Sequence, residues 1–558
     1  MKTSLRKTSD KLRVPFLCLL AAGIVTIVLT GLYWWKGYAP FGNNSLVCMD
    51  AEIQYLDFFA YLKDVLSGKS SIAYVSGKML GGTGIALFSY YLSSPFNLLV
   101  VFFEKQSLHS FFDLVVLLKL AAAAATFCYF IQKRFSGTVK SYYGVLLAAS
   151  YALMSYSITQ SSNIMWLDGV YMLPLMLLGV WNVIYKRKCL PLIVFTGLSI
   201  LFNWYSAGIN CIYTGFWFIL EYLLFLSQKQ EKESLRFKSE FFSAAKTFGR
   251  YAASMAGGVA LSACLFLPTI AALGDGKGHG DWELLTNTFL QNAAGIIQNF
   301  TVGSISGRGS VSLYCGSLAL LGCFCYFTAK NISVKRKSIY GLALAISALM
   351  YCWQPFFFLF SMFKSASSYW YRYAYVSVFL LVFIAADYFS QQEEHRFSQN
   401  GMVKNALIFS GILLTLSYVK PVWPLNRVYY TVAAIVATAV VCTAPRYIQA
   451  FRSRRRLRVV SAGMVVAIVC LEIVCNTSFL MDRYHTSTVE EFQLYTEHTE
   501  NLIHEIQQNT PGFYRISQTV PRGNSAGEVT ANYNESLAYN YSSITGYSSA
   551  GDSRQQIF

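Results

Sequence analysis

Apolar runs close to twenty residues long recur along nearly the whole chain, and no other feature restricts its fold so strongly. Wound as a helix at ~1.5 Å per residue, such a run matches the roughly 30 Å hydrocarbon core of a bilayer. Scanning for these runs predicts spans near residues 14–35, 110–131, 142–158, 170–185, 189–204, 209–227, 248–273, 311–328, 339–353, 371–389, 404–418, 427–444 and 458–475. The expected fold is therefore an all-α polytopic membrane protein of about thirteen transmembrane helices. With 54% hydrophobic and only 13% charged residues in 558, the composition is that of a membrane protein and not of a soluble one.

The remaining composition excludes several function classes. A net charge of +17 suggests nucleic acid, yet the Lys and Arg lie in short clusters between apolar runs, where loop charges fix topology, and no nucleic-acid partner is expected. Most of the thirteen Cys fall inside apolar runs without a CxxC pair, so they read as small hydrophobes. The six His form no HExxH pattern. Basic residues precede the run Val14–Trp35, which is too long for a signal peptide and lacks a small-residue cleavage site. It is read as an uncleaved first span.

One further run, IALFSYYLSSPFNLLVVFF at Ile85–Phe103, decides the topology. If it is re-entrant or surface-lying, the basic loops at 133, 186, 228–250, 334 and 452 all fall on one side, as cytoplasmic loops should. Pro95 fits such a break, and a Pro-kinked span is the alternative. The reading places the N-terminus inside, the C-terminus outside and a long first exterior loop over 36–108. Residues 1–475 form the membrane domain. Residues 476–558 turn polar, with helical charge spacing and then short strand patterns such as GFYRISQTV. They are expected to begin a small exterior α/β domain that continues beyond the present chain.

The first loop is unusually acidic. On a helix starting at Asp50, the residues Asp50, Gln54, Asp57, Tyr61 and Asp64 share one stripe. In one reading Asp50 caps that helix and the later acids face water. In the other, Asp50 or Glu52 is a general base or one hard-oxygen ligand of a divalent metal such as Mg or Mn. The glycine stretch SGKMLGGTG at Ser76–Gly84 lacks phosphate-loop spacing and is expected to let backbone approach a ligand, or a loop move.

Other candidates lie at expected exterior helix ends. NIMWLDG offers Trp166 and Asp168, either an interface anchor and a cap or an aromatic face and a carboxylate for a sugar. LFNWYSAGIN adds Asn203, Trp204, Tyr205 and Asn210. SMFKSASSYWYRYAYV concentrates Lys364, Tyr369, Trp370, Tyr371 and Arg372, where Arg372 could grip a phosphate bidentately or snorkel to headgroups. Lys119 sits in LVVLLKLAAAAA, a costly place for a cation unless it pairs with Asp113 or Glu221. Arg308 and His109 are weaker candidates.

Taken in order, MDAEIQYLDFFAYLKD, GGTG, YYLSSPFNLL, NIMWLDGVYMLPLMLLG, LFNWYSAGINCIYTGFWFILEY, LFLPT, FKSASSYWYRYAYV and YNESLAYNYSSITGYSS resemble the bacterial YfhO membrane-protein family over nearly the whole chain. That family is similar to the GT-C class of glycosyltransferases. The resemblance implies a plasma-membrane enzyme, of a Gram-positive-type bacterium, that takes a sugar from a polyprenyl (undecaprenyl) phosphate carrier. The acceptor would be an envelope polymer such as lipoteichoic acid, with membrane lipids around the site. Asp50 matches the first-loop acid as catalyst, with Glu52 in reserve, and Trp166, Asp168, Tyr205, Lys364, Tyr369 and Arg372 would bind substrate. A transporter or flippase of lipid-linked precursors is the rival reading, and a non-catalytic envelope scaffold a third.

Overall fold

The computed structural model describes residues 2–230, 237–274, 280–364, 368–391, 400–447, 455–484, 488–518, 534–544 and 546–548. Among these the regular elements are helices, and strand pairing is confined to isolated bridges. The first half comprises α1 (Lys2–Lys36), α2 (Leu56–Leu66), α3 (Leu108–Arg134), α4 (Ser141–Ala152), α5 (Trp166–Lys186), α6 (Leu190–Phe202) and α7 (Trp204–Gln230). Then come α8 (Phe237–Leu261), α9 (Ala263–Gly274), α10 (Ser317–Thr328), α11 (Val334–Cys352), α12 (Ala374–Ser390), α13 (Asn400–Val419), α14 (Leu425–Tyr447), α15 (Arg455–Met481) and α16 (Val489–Asn509).

The chain is a multi-pass membrane protein, but with fewer full-length spans than the hydropathy pattern predicts. Among the described residues, α1, α3, α5, α7, α13, α14 and α15 are long and apolar enough to cross, and two bent helix pairs raise the 7 to at most 9. The runs expected to span near 189–204, 311–328 and 371–389 are helices of only 13, 12 and 17 residues. Asn203 turns extended and ends α6, while Gly316, at φ +90°, delays the start of α10. The run near 142–158 breaks after Ala152 and resumes only as a short turn at Ser155–Thr159. A hydropathy window counts apolar residues and cannot see where the backbone changes direction.

At the centre, α12 is buried along its whole length, as a helix apolar on every face must be. Its Phe379 ring meets Phe127 and Phe130 of α3, Tyr151 of α4 and Trp217 of α7 at 5.1–5.7 Å, which locks these helices around one axis. The segment Ile85–Leu92 meets Pro95–Phe102 at 96°. At ~1.5–2.0 Å per residue the two arms reach roughly 20 Å end to end, short of the ~30 Å core. Pro95, at the first position of the second arm, removes the N–H that would continue the first.

Three expectations for the loops change. The acidic stripe exists, but Gln54, Asp57, Tyr61 and Asp64 are all buried and do not face water. They are covered by residues 534–544: Asn540 Nδ2 donates to Asp64 Oδ2 at 2.5 Å, and Lys105 Nζ reaches the same oxygen at 2.7 Å. The glycine stretch admits backbone of the protein itself, since a Cβ at Gly77 would lie 2.7 Å from the Ser536 carbonyl. Finally, α15 continues past 475 to Met481, and α16 starts on a Thr488/Glu491 capping box. No strand forms over 512–518, and the remainder of GFYRISQTV, like residues 452–454 of RSRRRLR, lies outside the described residues.

Candidate functional site

Asp50 begins the first helical segment after α1, in a stretch that opens with a wide π-type turn, Ala51–Tyr55, before regularising into α2. The carboxylate makes no capping bond, so the cap reading does not describe it. It meets instead the Tyr369 hydroxyl. Burial raises the Asp50 carboxyl above its ordinary 3.8, against the pull of Tyr369 and of the Arg372 guanidinium, both of which favour the charged form. Glu52 is half-buried, and its charge acts with that of Asp50 on Cys48, whose thiol burial pushes up to about 12.

Arg372 lies just before α12 in a box of aromatic rings. Its guanidinium is stacked 4.9 Å from Trp166 at the start of α5 and 5.7 Å from Tyr205 in the first turn of α7. Its Nη1 donates to the Tyr205 hydroxyl at 3.2 Å, and its Nε and Nη2 donate to the carbonyls of Tyr369 and Ser368. Tyr369 stands 5.4 Å edge-on to Trp166, and its hydroxyl lies 3.8 Å from the Met49 sulfur. The first loop, the starts of α5 and α7 and the approach to α12 therefore converge on Asp50 and Arg372. Backbone strain marks the same place: Met49, Tyr369 and Tyr371 are non-glycine residues held at φ +50°, +52° and +57°.

Two residues that sequence reasoning weighted little complete the box. Tyr90, in the bent segment, packs 6.0 Å from Tyr205 and 5.3 Å from Trp204. Asn203 fixes it there: its amide donates to the Tyr90 carbonyl at 2.6 Å while its Oδ1 accepts from the Ser206 N–H, capping α7. The only sequence signal was an Asn immediately before an aromatic pair.

Asp168 does not join this cluster. Its Oδ1 accepts from Ser94 at 2.6 Å and Tyr171 at 2.7 Å, and its Oδ2 pairs with Lys119 at 2.8 Å. The partner of Lys119 is thus Asp168; Asp113 instead accepts from Ser45 and Leu46, and Glu221 pairs with Arg134. With both oxygens engaged, Asp168 clamps the bent segment to α3 and α5. Lys364 ends the turn after Gln354–Phe360, beside residues 365–367, which lie outside the described set. Arg308 is exposed between two glycines, and His109 packs on Phe492 of α16. Among the described residues no three His, Cys, Asp or Glu side chains come together to hold a metal, and the cation acting on Asp50 is the Arg372 guanidinium.

A family model for the bacterial membrane protein YfhO matches residues 22–557. The chain belongs to the YfhO family. No curated protein matches it. The match takes in every member of the cluster, from Asp50 in the first loop to Arg372 before α12, so the convergence lies wholly within the YfhO region.

Proposed function

We propose that this YfhO protein is an integral-membrane glycosyltransferase that uses a polyprenyl phosphate sugar and an envelope-polymer acceptor such as lipoteichoic acid at the outer face of the plasma membrane. One observation carries the reading: a half-buried carboxylate, raised in basicity by burial, sits within the field of a stacked guanidinium in an aromatic box. Asp50 takes the proton of the acceptor hydroxyl, and the oxygen attacks the anomeric carbon as the bond to the carrier phosphate breaks. The phosphate leaves with the bonding electrons and is met by Arg372, whose fork suits bidentate contact. Trp166 and Tyr205 hold Arg372 in place and present apolar faces to the sugar. A single displacement inverts the anomeric centre. No step passes through a metal.

The orientation belongs to the same proposal. With the N-terminus cytoplasmic, the first loop and the starts of α5 and α7 face outward and the basic loops inward. A flippase of lipid-linked precursors is the second reading, favoured by the two bent helix pairs, since discontinuous helices recur in transporters. Membranes containing the protein, given a labelled polyprenyl phosphate sugar, separate the two. The transferase reading expects label in polymer and none with Asp50→Asn. Label that changes leaflet without transfer supports the flippase, and transfer that survives Asp50→Asn removes Asp50 from the chemistry.

A further inference from the structure

An apolar groove opens beside the Arg372 box. Ile200 of α6, Trp204 and Gly208 of α7, Thr269 and Leu273 of α9, and Met362 line a cavity of about 320 Å³, within the ~300–1,000 Å³ of ligand sites. Its shape follows from two local features. Helix α6 has 13 residues, about 20 Å at ~1.5 Å each, so it stops short of a full span. The pair α8/α9 bends by 77° and leaves a gap at that level. On the outer side Val259, Leu267 and Ile270 are exposed, so the groove is continuous with the apolar surface that a bilayer would cover.

The inner end connects to the cation. Trp204 forms part of the wall, and its neighbour Tyr205 accepts from Arg372 at 3.2 Å. Trp204 thus stands between groove and box, its ring 6.1 Å from that of Tyr205. A second apolar cavity, between α7 and α11, has no such charge beside it among its lining residues. We infer that the groove is the seat of the isoprenoid chain of the phosphate carrier, entered sideways from the lipid between α6 and α9. The inference rests on the transferase reading for the identity of the headgroup.

Photolabelling tests it on the whole protein in phosphatidylcholine nanodiscs, with a polyprenyl monophosphate bearing a diazirine on its isoprenoid chain. The expected label falls in residues 200–211 and 266–273 and is displaced by unlabelled polyprenyl monophosphate. Gly208→Leu should cut it about tenfold, a loss equivalent to roughly 1.4 kcal/mol. That variant should fold, because the first atoms a Cβ meets are the flexible thioether end of Met362. Leu273→Trp, at the half-buried rim, should do the same by a different route. Ala343→Leu, in the second cavity, should leave labelling unchanged. Label displaced equally by phosphatidylglycerol, or unmoved by both groove variants, overturns the inference. Because the readout is binding, groove labelling in a protein that transfers no sugar would overturn the transferase reading and leave the groove standing.

Discussion

Removing Lys119 alone should cost far more than removing Lys119 and the charge of Asp168 together. Lys119 is 0% exposed and Asp168 2%, and they meet at 2.8 Å with no solvent to screen either charge. In Lys119→Met the carboxylate keeps only the neutral Ser94 and Tyr171 hydroxyls, an uncompensated buried charge expected to cost about 3–5 kcal/mol. In Asp168→Asn the ammonium keeps the Ile164 carbonyl at 3.0 Å and an amide oxygen, for a loss of similar order, about 3 kcal/mol. The double variant carries no charge and retains hydroxyls facing an amide, so it should cost only about 1–2 kcal/mol. The coupling is then about 4–7 kcal/mol, above the ~0.5–3 kcal/mol usual for contacting residues. Unfolding titrations in mixed detergent micelles, followed by Trp fluorescence, measure all four proteins. Single losses that add to within about 0.5 kcal/mol in the double variant would refute the clamp.

Three further outcomes follow from the site and its cover. Asp50→Asn should lower sugar transfer by about 10²–10⁴-fold, the range for a general base, while Glu52→Gln retains most activity in the same assay. The Asp50→Asn substitution should also stabilise the fold at neutral pH. Below 3.8 the carboxyl is neutral in both folded and unfolded chains; as pH rises the unfolded chain ionises first, so the wild type loses stability that the uncharged variant keeps. Thermal unfolding from acid to neutral pH should show that gap open, and a gap of opposite sign would mean that Asp50 is held charged. Arg372→Lys should act almost like removal of the group, because a point charge can neither stack between Trp166 and Tyr205 nor grip phosphate with a fork, and the KM for donor reads this out. Asp64→Ala leaves Lys105 and Asn540 without their shared acceptor and should loosen residues 534–544, seen as faster limited proteolysis of the C-terminal segment.

Much of this protein was legible in one dimension. Long apolar runs gave the helical membrane class, because only internally bonded helices satisfy a backbone in hydrocarbon and their length is fixed by its thickness. Spacing gave the stripe of Gln54, Asp57, Tyr61 and Asp64, and chemistry pointed to Asp50, Trp166, Tyr205, Tyr369 and Arg372, which the fold brings together from four separate parts of the chain.

What faces what was decided only by the tertiary structure. A helical stripe has a direction but no partner until residues 534–544, hundreds of positions away, fold back over α2 and take Asp64 out of water. By sequence Lys119 had Asp113 or Glu221 as its partner, and the packing of α3 on α5 gave it Asp168 instead. Helix length escaped the sequence for the same reason, since an extended Asn203 or a positive-φ Gly316 bounds a helix without altering the hydropathy around it. Periodicity and composition are local sums along the chain, whereas the pairing of buried charges is set by contacts between helices that no local sum contains.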